Sequence, residues 1–196
     1  MDDYFLVFGL PRKLEVDAAA LQQRFYELSR AHHPDFHQAA PADAQAQALN
    51  ASAAVNRAYR ALRDPLARVD YLIRLEEGRD TREGAEAKPR VPRELLEEMM
   101  EIQEALLEAK AGGLDDETRA RLEAERRRLV EWRERGELSI VGRFAEWDGA
   151  APGDRSALLE WFKARLAARA YLRTVIDDLG EALGEDTDTH VSHRRH

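Results

Sequence analysis

Apolar residues recur along most of this chain at spacings of three and four, the period of helices that bury one face. The chain opens with a short apolar cluster, Tyr4 to Phe8, ended by Gly9 and Pro11. Asp17 is then placed to cap a helix from Ala18 to His32, its carboxylate accepting from the first free N–H groups. Leu21, Phe25 and Leu28 fall at i, i+4 and i+7 and form the inward stripe, leaving Gln22, Gln23, Arg24, Glu27 and Arg30 toward water. Pro34 stops this helix, because it has no N–H for the ladder and pushes the preceding residue out of the α region. Helix resumes near Ala42 and runs to about Arg63, with Leu49, Ala53, Asn56, Ala58 or Tyr59, and Leu62 predicted inward. Asp64-Pro65 supplies a cap and a proline at the first helical position. Leu66, Val69, Leu72 and Ile73 carry an apolar face on to about Leu75.

Residues 77–91 hold two Gly, one Pro and dense charge with no apolar period, which predicts a linker. Beyond it Pro92 opens a helix reaching about Ala111, closed by Gly112-Gly113. A second runs from Asp115 to about Arg135 and is ended by Gly136, with Leu138 to Trp147 extending it after a kink. A third spans Asp154 to about Leu183, with Leu158, Phe162, Leu172, Val175, Ile176 and Leu179 among its core candidates. The tail from 185 to 196 is polar and expected to be disordered. No strand pattern or internal repeat is present. The expectation is an all-α protein: a helical domain at 1–76, the linker at 77–91, a three-helix bundle at 92–184 and the tail.

Charge divides the chain in the same place. Residues 1–75 contain nine Lys/Arg and nine Asp/Glu, so the net charge of -8 lies wholly in the remainder. An acidic second half argues against nucleic acid as its partner, since phosphate contacts need a basic surface. No run approaches the ~18 uninterrupted apolar residues of a membrane span. The acidic start, Met1-Asp2-Asp3, is unlike a basic targeting segment. Cysteine is absent, which excludes disulfides, thiolate metal sites and cysteine nucleophiles and fits a cytoplasmic location. No phosphate-cradling Gly loop, nucleophile–base pair or zincin motif is found, so no enzyme activity is expected.

The most informative local sequence is His33-Pro34-Asp35, in the loop between two helices expected to pack antiparallel. Alone it also fits a proline-terminated loop with an aspartate cap. His32, His33, Asp35 and His37 offer imidazole and carboxylate groups close in sequence, so a metal-binding helical protein is a second reading. No closed tetrahedral spacing or second ligand cluster accompanies them, and no metal or cofactor is expected.

Leu28-Ser29-Arg30-Ala31-His32-His33-Pro34-Asp35, followed about twenty residues on by Asn56-Arg57-Ala58-Tyr59-Arg60-Ala61-Leu62-Arg63-Asp64-Pro65, resembles the J-domain of DnaJ-type co-chaperones. The stretches Asp3-Tyr4-Phe5-x-x-Phe8-Gly9-Leu10-Pro11 and Asp64 to Leu72 are similar to the HscB family in particular, the J-domain co-chaperones of iron–sulfur cluster assembly. The resemblance implies a partner of the DnaK/HscA heat-shock type, docked through Arg24 and Arg30 and triggered by His33 and Asp35, with Pro34 holding the loop rigid. It also implies a C-terminal helical domain that binds the cluster scaffold IscU. An alternative is the same J-domain chemistry serving a different client.

The helix around residues 95–108 resembles that family's scaffold-binding helix. Leu95, Met99, Ile102 and Leu106 make one stripe sufficient for core packing. Leu96, Met100 and Leu107 make an adjacent one beside Glu101, Glu104 and Glu108. An apolar strip flanked by carboxylates suits a partner surface, and methionine adapts to a partner's contours. Periodicity leaves core and partner face equally open. Tyr171 stands where the family has an aromatic scaffold contact, and a core tyrosine is its plain alternative.

Overall fold

Aspartates set where the helices of the N-terminal part begin. In a computed structural model, which describes residues 3–78, 100, 102–107 and 113–184, Asp3 accepts from the Phe5 N–H at 2.9 Å and opens a one-turn helix, α1 (Tyr4–Val7). Asp17 accepts from Ala19 and Ala20 and opens α2 (Ala18–Ala31), and Asp64 accepts from Ala67 at 2.7 Å ahead of α4 (Pro65–Glu76). Between them a 3₁₀ turn, Pro34–His37, leads into α3 (Ala42–Arg63), against which α1, α2 and α4 all pack. Helical residues 100 and 102–107 form the described part of α5. They are followed by α6 (Asp116–Val141), α7 (Phe144–Gly149), a second 3₁₀ turn at Pro152–Asp154, and α8 (Arg155–Leu183). The fold is all-α, with no strand among the described residues.

By packing, the chain forms two units: Met1–Ala85 with Val141–Phe162, and Glu86–Ile140 with Lys163–His196. In the first, Phe5, Leu14, Leu21, Leu62, Leu72 and Trp147 are essentially inaccessible. Each such side chain contributes about 1.5–3 kcal/mol through its removal from water. Aromatic pairs add directionality: Phe25 stacks on Tyr59 at 4.0 Å between centroids, tying α2 to α3, and Tyr4 stacks on Tyr71 at 4.4 Å.

The inward face of α3 differs in part from the expected one. Ala48, Val55, Ala58 and Leu62 are buried, whereas Leu49 is 60% exposed and Asn56 is exposed with its amide on the Ser52 carbonyl. Ala58 and Leu62 are inward as expected, and the departure is confined to Leu49 and Asn56, each of which yields to the residue before it, Ala48 and Val55. In a helix this rich in alanine the pattern has little contrast.

Gly136 does not end α6, which continues to Val141. A mid-helix glycine costs only ~1 kcal/mol relative to alanine. Burial of Ile140 and an ion pair from Glu137 to Arg169 at 2.6 Å hold the next turn in place. Residues 141–162, expected with the second part, pack instead with the first. The reason is a contact that pattern does not reveal. Asp148 accepts from the backbone N–H groups of Leu14 and Glu15 at 2.8 and 2.9 Å.

Leu14 is gripped from its other side by Arg68. This side chain, only 4% exposed, donates to the carbonyls of Leu14 and Leu62. Burial lowers the Arg68 pKa, and the fields of Asp64 and Asp148 act against that shift. A buried guanidinium is tolerable only when it is hydrogen-bonded, and here its Nε and Nη1 each donate to a backbone carbonyl.

The second unit has a core drawn from three helices, as expected. Ile102, Ala105 and Leu106 of α5 meet Leu122 and Leu129 of α6, and Ile176 and Leu179 are among those from α8. Arg119 of α6 donates to the Leu183 carbonyl at 3.0 Å, binding the end of α8. Most of the expected linker, Leu95, Met99 and the 185–196 tail lie outside the described residues.

Candidate functional site

The His33-Pro34-Asp35 turn is built by bonds that begin and end nearby. His33 has extended backbone geometry and precedes the 3₁₀ turn, where Pro34 sits at the first position with its φ already set. The His33 Nδ1 accepts from the Asp35 N–H at 3.3 Å, and the Phe36 N–H donates to the His33 carbonyl at 3.0 Å. His37 Nε2 lies 3.0 Å from the Ala31 carbonyl, and the Gln45 side chain donates to the Gln38 and Ala40 carbonyls at 3.0 and 2.9 Å. The backbone is thus braced from both helices. The functional groups are not buried by this bracing: the His33 and Asp35 side chains are 53% and 71% exposed, with Nδ1 and Oδ2 3.6 Å apart.

This geometry presents an imidazole and a carboxylate, side by side, to whatever meets the end of the hairpin. It does not assemble a metal site. The ring nitrogens His33 Nδ1 and His37 Nε2 face backbone groups, and no set of three or more His, Cys, Asp or Glu able to hold an ion occurs among the described residues.

The basic residues expected to assist docking are less concentrated. Arg24 is exposed and paired with Glu27 at 3.2 Å, and Arg30 is exposed in the last turn of α2. Six residues at 100° each put the two about 120° from each other around the helix, so they do not share one face. Arg12 is engaged by Asp3 at 2.6 Å, which raises its pKa through hydrogen bonding and charge.

On the second unit, Met100 is 71% exposed and Leu107 68% exposed, with Glu104 exposed between them. Ile102, Ala105 and Leu106 of the same helix fill the core, so the structure brings Met100, Glu104 and Leu107 together on an outward strip. Leu96, Glu101 and Glu108 lie outside the described residues. Tyr171 is half-buried and packs against the core of this unit.

Two residues that position the first unit were not anticipated. Arg68 carried a signal: with Tyr71 and Leu72 it falls at i, i+3 and i+4 in an apolar stripe, where an arginine must be satisfying backbone carbonyls. Asp148 carried none.

An all-α chain that closes an α2–α3 hairpin with an exposed His-Pro-Asp turn and adds a second helical unit has the architecture of a J-domain protein. No family model matches the chain. Solved structures do, and among them are two of HscB. Chaperone HscB from Vibrio cholerae is 28% identical with a TM-score of 0.53, the match covering 91% of this chain and 99% of that one. Human co-chaperone protein HscB is 25% identical with a TM-score of 0.63, covering 92% of this chain and 82% of that one. The chain has the HscB-like fold, and its likeness to these chaperones runs through both units.

Proposed function

We propose that this protein is a J-domain co-chaperone of iron–sulfur cluster assembly. On this reading residues 1–76 stimulate ATP hydrolysis by a DnaK/HscA-type chaperone, and the domain at 92–184 delivers an IscU-type scaffold to it. The observation that carries the reading is the exposed, backbone-braced His33-Pro34-Asp35 turn in a chain that is HscB-like over 91% of its length.

The physical mechanism has two parts. Exposed charge on α2, from Arg24 and Arg30, biases encounter and orientation toward an acidic partner surface. The rigid turn then places His33 and Asp35 as the triggering pair, with little conformational freedom left to lose on binding. The second unit meets the scaffold through the outward strip that holds Met100 and Glu104, together with Tyr171 and, as the family resemblance implies, Leu96, Glu101 and Glu108. Holding chaperone and scaffold on one chain raises the effective concentration of each for the other. The protein performs no chemistry of its own and uses no cofactor, nucleic acid or membrane. No described helix is long and apolar enough to cross a membrane. A cytoplasmic location accords with this role.

Steady-state ATP hydrolysis by an HscA-type chaperone, measured with and without this protein and IscU, tests both parts. The expected result is stimulation that IscU enhances and that His33→Gln abolishes. Stimulation without synergy retains the co-chaperone and discards the iron–sulfur client; no stimulation by folded wild type sinks the proposal. For the outward strip, Met100→Lys is expected to weaken scaffold binding about tenfold while leaving stimulation by the J-domain intact. Unchanged scaffold binding, measured calorimetrically, would remove the strip.

A further inference from the structure

Phe36 is 68% exposed and directly follows the tripeptide. A lone exposed apolar side chain is usually unremarked surface. Phe36 differs because its surroundings are ordered. Its N–H is tied to the His33 carbonyl at 3.0 Å, and its ring meets the His33 imidazole edge-on with centroids 5.9 Å apart. The phenyl therefore leaves from a 3₁₀ turn begun by Pro34, whose His37 ring nitrogen lies 3.0 Å from the Ala31 carbonyl and whose following residues are held from α3 by Gln45.

The imidazole is oriented too. Because Nδ1 accepts from the Asp35 N–H, the ring proton of the neutral form resides on Nε2. The turn thus offers one N–H donor, one carboxylate and one aromatic ring next to each other, all exposed and held by local bonds. A donor and an acceptor alone anchor weakly in water, since each bond to a partner replaces one to solvent. Aromatic side chains in rigid settings are the usual anchors of interfaces.

We propose that Phe36 is the docking residue of this turn. Its ring enters an apolar socket on the ATPase chaperone that also receives His33 and Asp35, and it sets affinity while the polar pair sets the switch. This inference rests on the co-chaperone function proposed above. It specifies the partner's surface: an apolar depression flanked by an acceptor for His33 Nε2–H and a donor for the Asp35 carboxylate.

The experiment is a titration of the chaperone's ATPase with the full-length protein, comparing wild type, Phe36→Ala, Phe36→Leu and His33→Gln. Phe36→Ala is expected to raise the concentration for half-maximal stimulation about thirty-fold, the size of an interface hot spot, with the same plateau. Phe36→Leu is expected to recover most of the affinity, and His33→Gln to lose the plateau. An unchanged half-saturation in Phe36→Ala overturns the proposal, as does a lowered plateau at unchanged half-saturation. Loss of self-association by sedimentation, without a shift in half-saturation, would assign the ring to a second copy of this chain and also overturn it. A lowered melting temperature that Phe36→Leu restores, again without a shift, would make the ring structural. If wild type fails to stimulate, the co-chaperone function falls first, and a stimulation sensitive to His33→Gln but not to Phe36→Ala sinks this inference alone.

Discussion

The His33 turn and the Leu14 segment belong to the same packing unit but are held in opposite ways. At the turn the hydrogen bonds join residues no more than seven apart, and the side chains of His33 and Asp35 remain open to solvent. At Leu14 the partners come from 54 and 134 residues away, and the side chain is wholly buried. A locally braced loop keeps its shape whatever the rest of the unit does, and its exposed groups contribute little to folding. The buried Leu14 does the reverse: held by distant residues, it contributes stability and is not available to a partner. Function and stability are therefore separable in this unit.

That separation can be broken by experiment. The largest effect on stability is expected from Arg68→Leu, which strands the carbonyls of Leu14 and Leu62 in the core. Chemical denaturation should show a loss of about 3 kcal/mol, on the scale of two buried acceptors left unpaired. Asp148→Ala removes the acceptor for two backbone N–H groups, one of them exposed, and should cost about 2 kcal/mol in the same assay. A smaller, pH-dependent effect belongs to Tyr71, whose phenol is pushed up by burial while its oxygen accepts from the Tyr4 N–H at 2.8 Å. Because the folded pKa is raised, this stability is complete below the unfolded value of about 10 and is lost as pH rises through the folded value. Wild type should therefore lose stability above pH ~10 more steeply than Tyr71→Phe. The smallest change is expected for His33→Gln, which should stay within about 0.5 kcal/mol of wild type despite abolishing stimulation. A cost of 2 kcal/mol or more there would show that the turn supports the fold and would end the distinction.

The sequence disclosed whatever depends on neighbours. Asp17 and Asp64 were legible as caps because capping bonds span two or three residues. The His33-Pro34-Asp35 loop was legible as motif and as helix break. The inward face of α3 was legible in its second half, at Ala58 and Leu62, but not in its first, since alternation between Ala48 and Leu49 carries no polarity contrast and packing alone chose the smaller residue. Gly136 misled because the tertiary contacts of Glu137 and Ile140 outweigh its weak helix preference. Met100 and Leu107 were undecided from period alone, and they face outward because Ile102, Ala105 and Leu106 already fill the core. Asp148 was silent, since its partners are more than a hundred residues away.

The grouping of residues 141–162 with the N-terminal unit has a consequence for biosynthesis. The hairpin and its His-Pro-Asp turn leave the ribosome early, yet the acceptor for Leu14 and Glu15 is not made until Asp148. At the usual ~5–20 residues per second the nascent hairpin waits several seconds with that backbone unpaired. The co-chaperone would thus be, for a short interval of its own synthesis, an incompletely folded chain of the sort that chaperones bind.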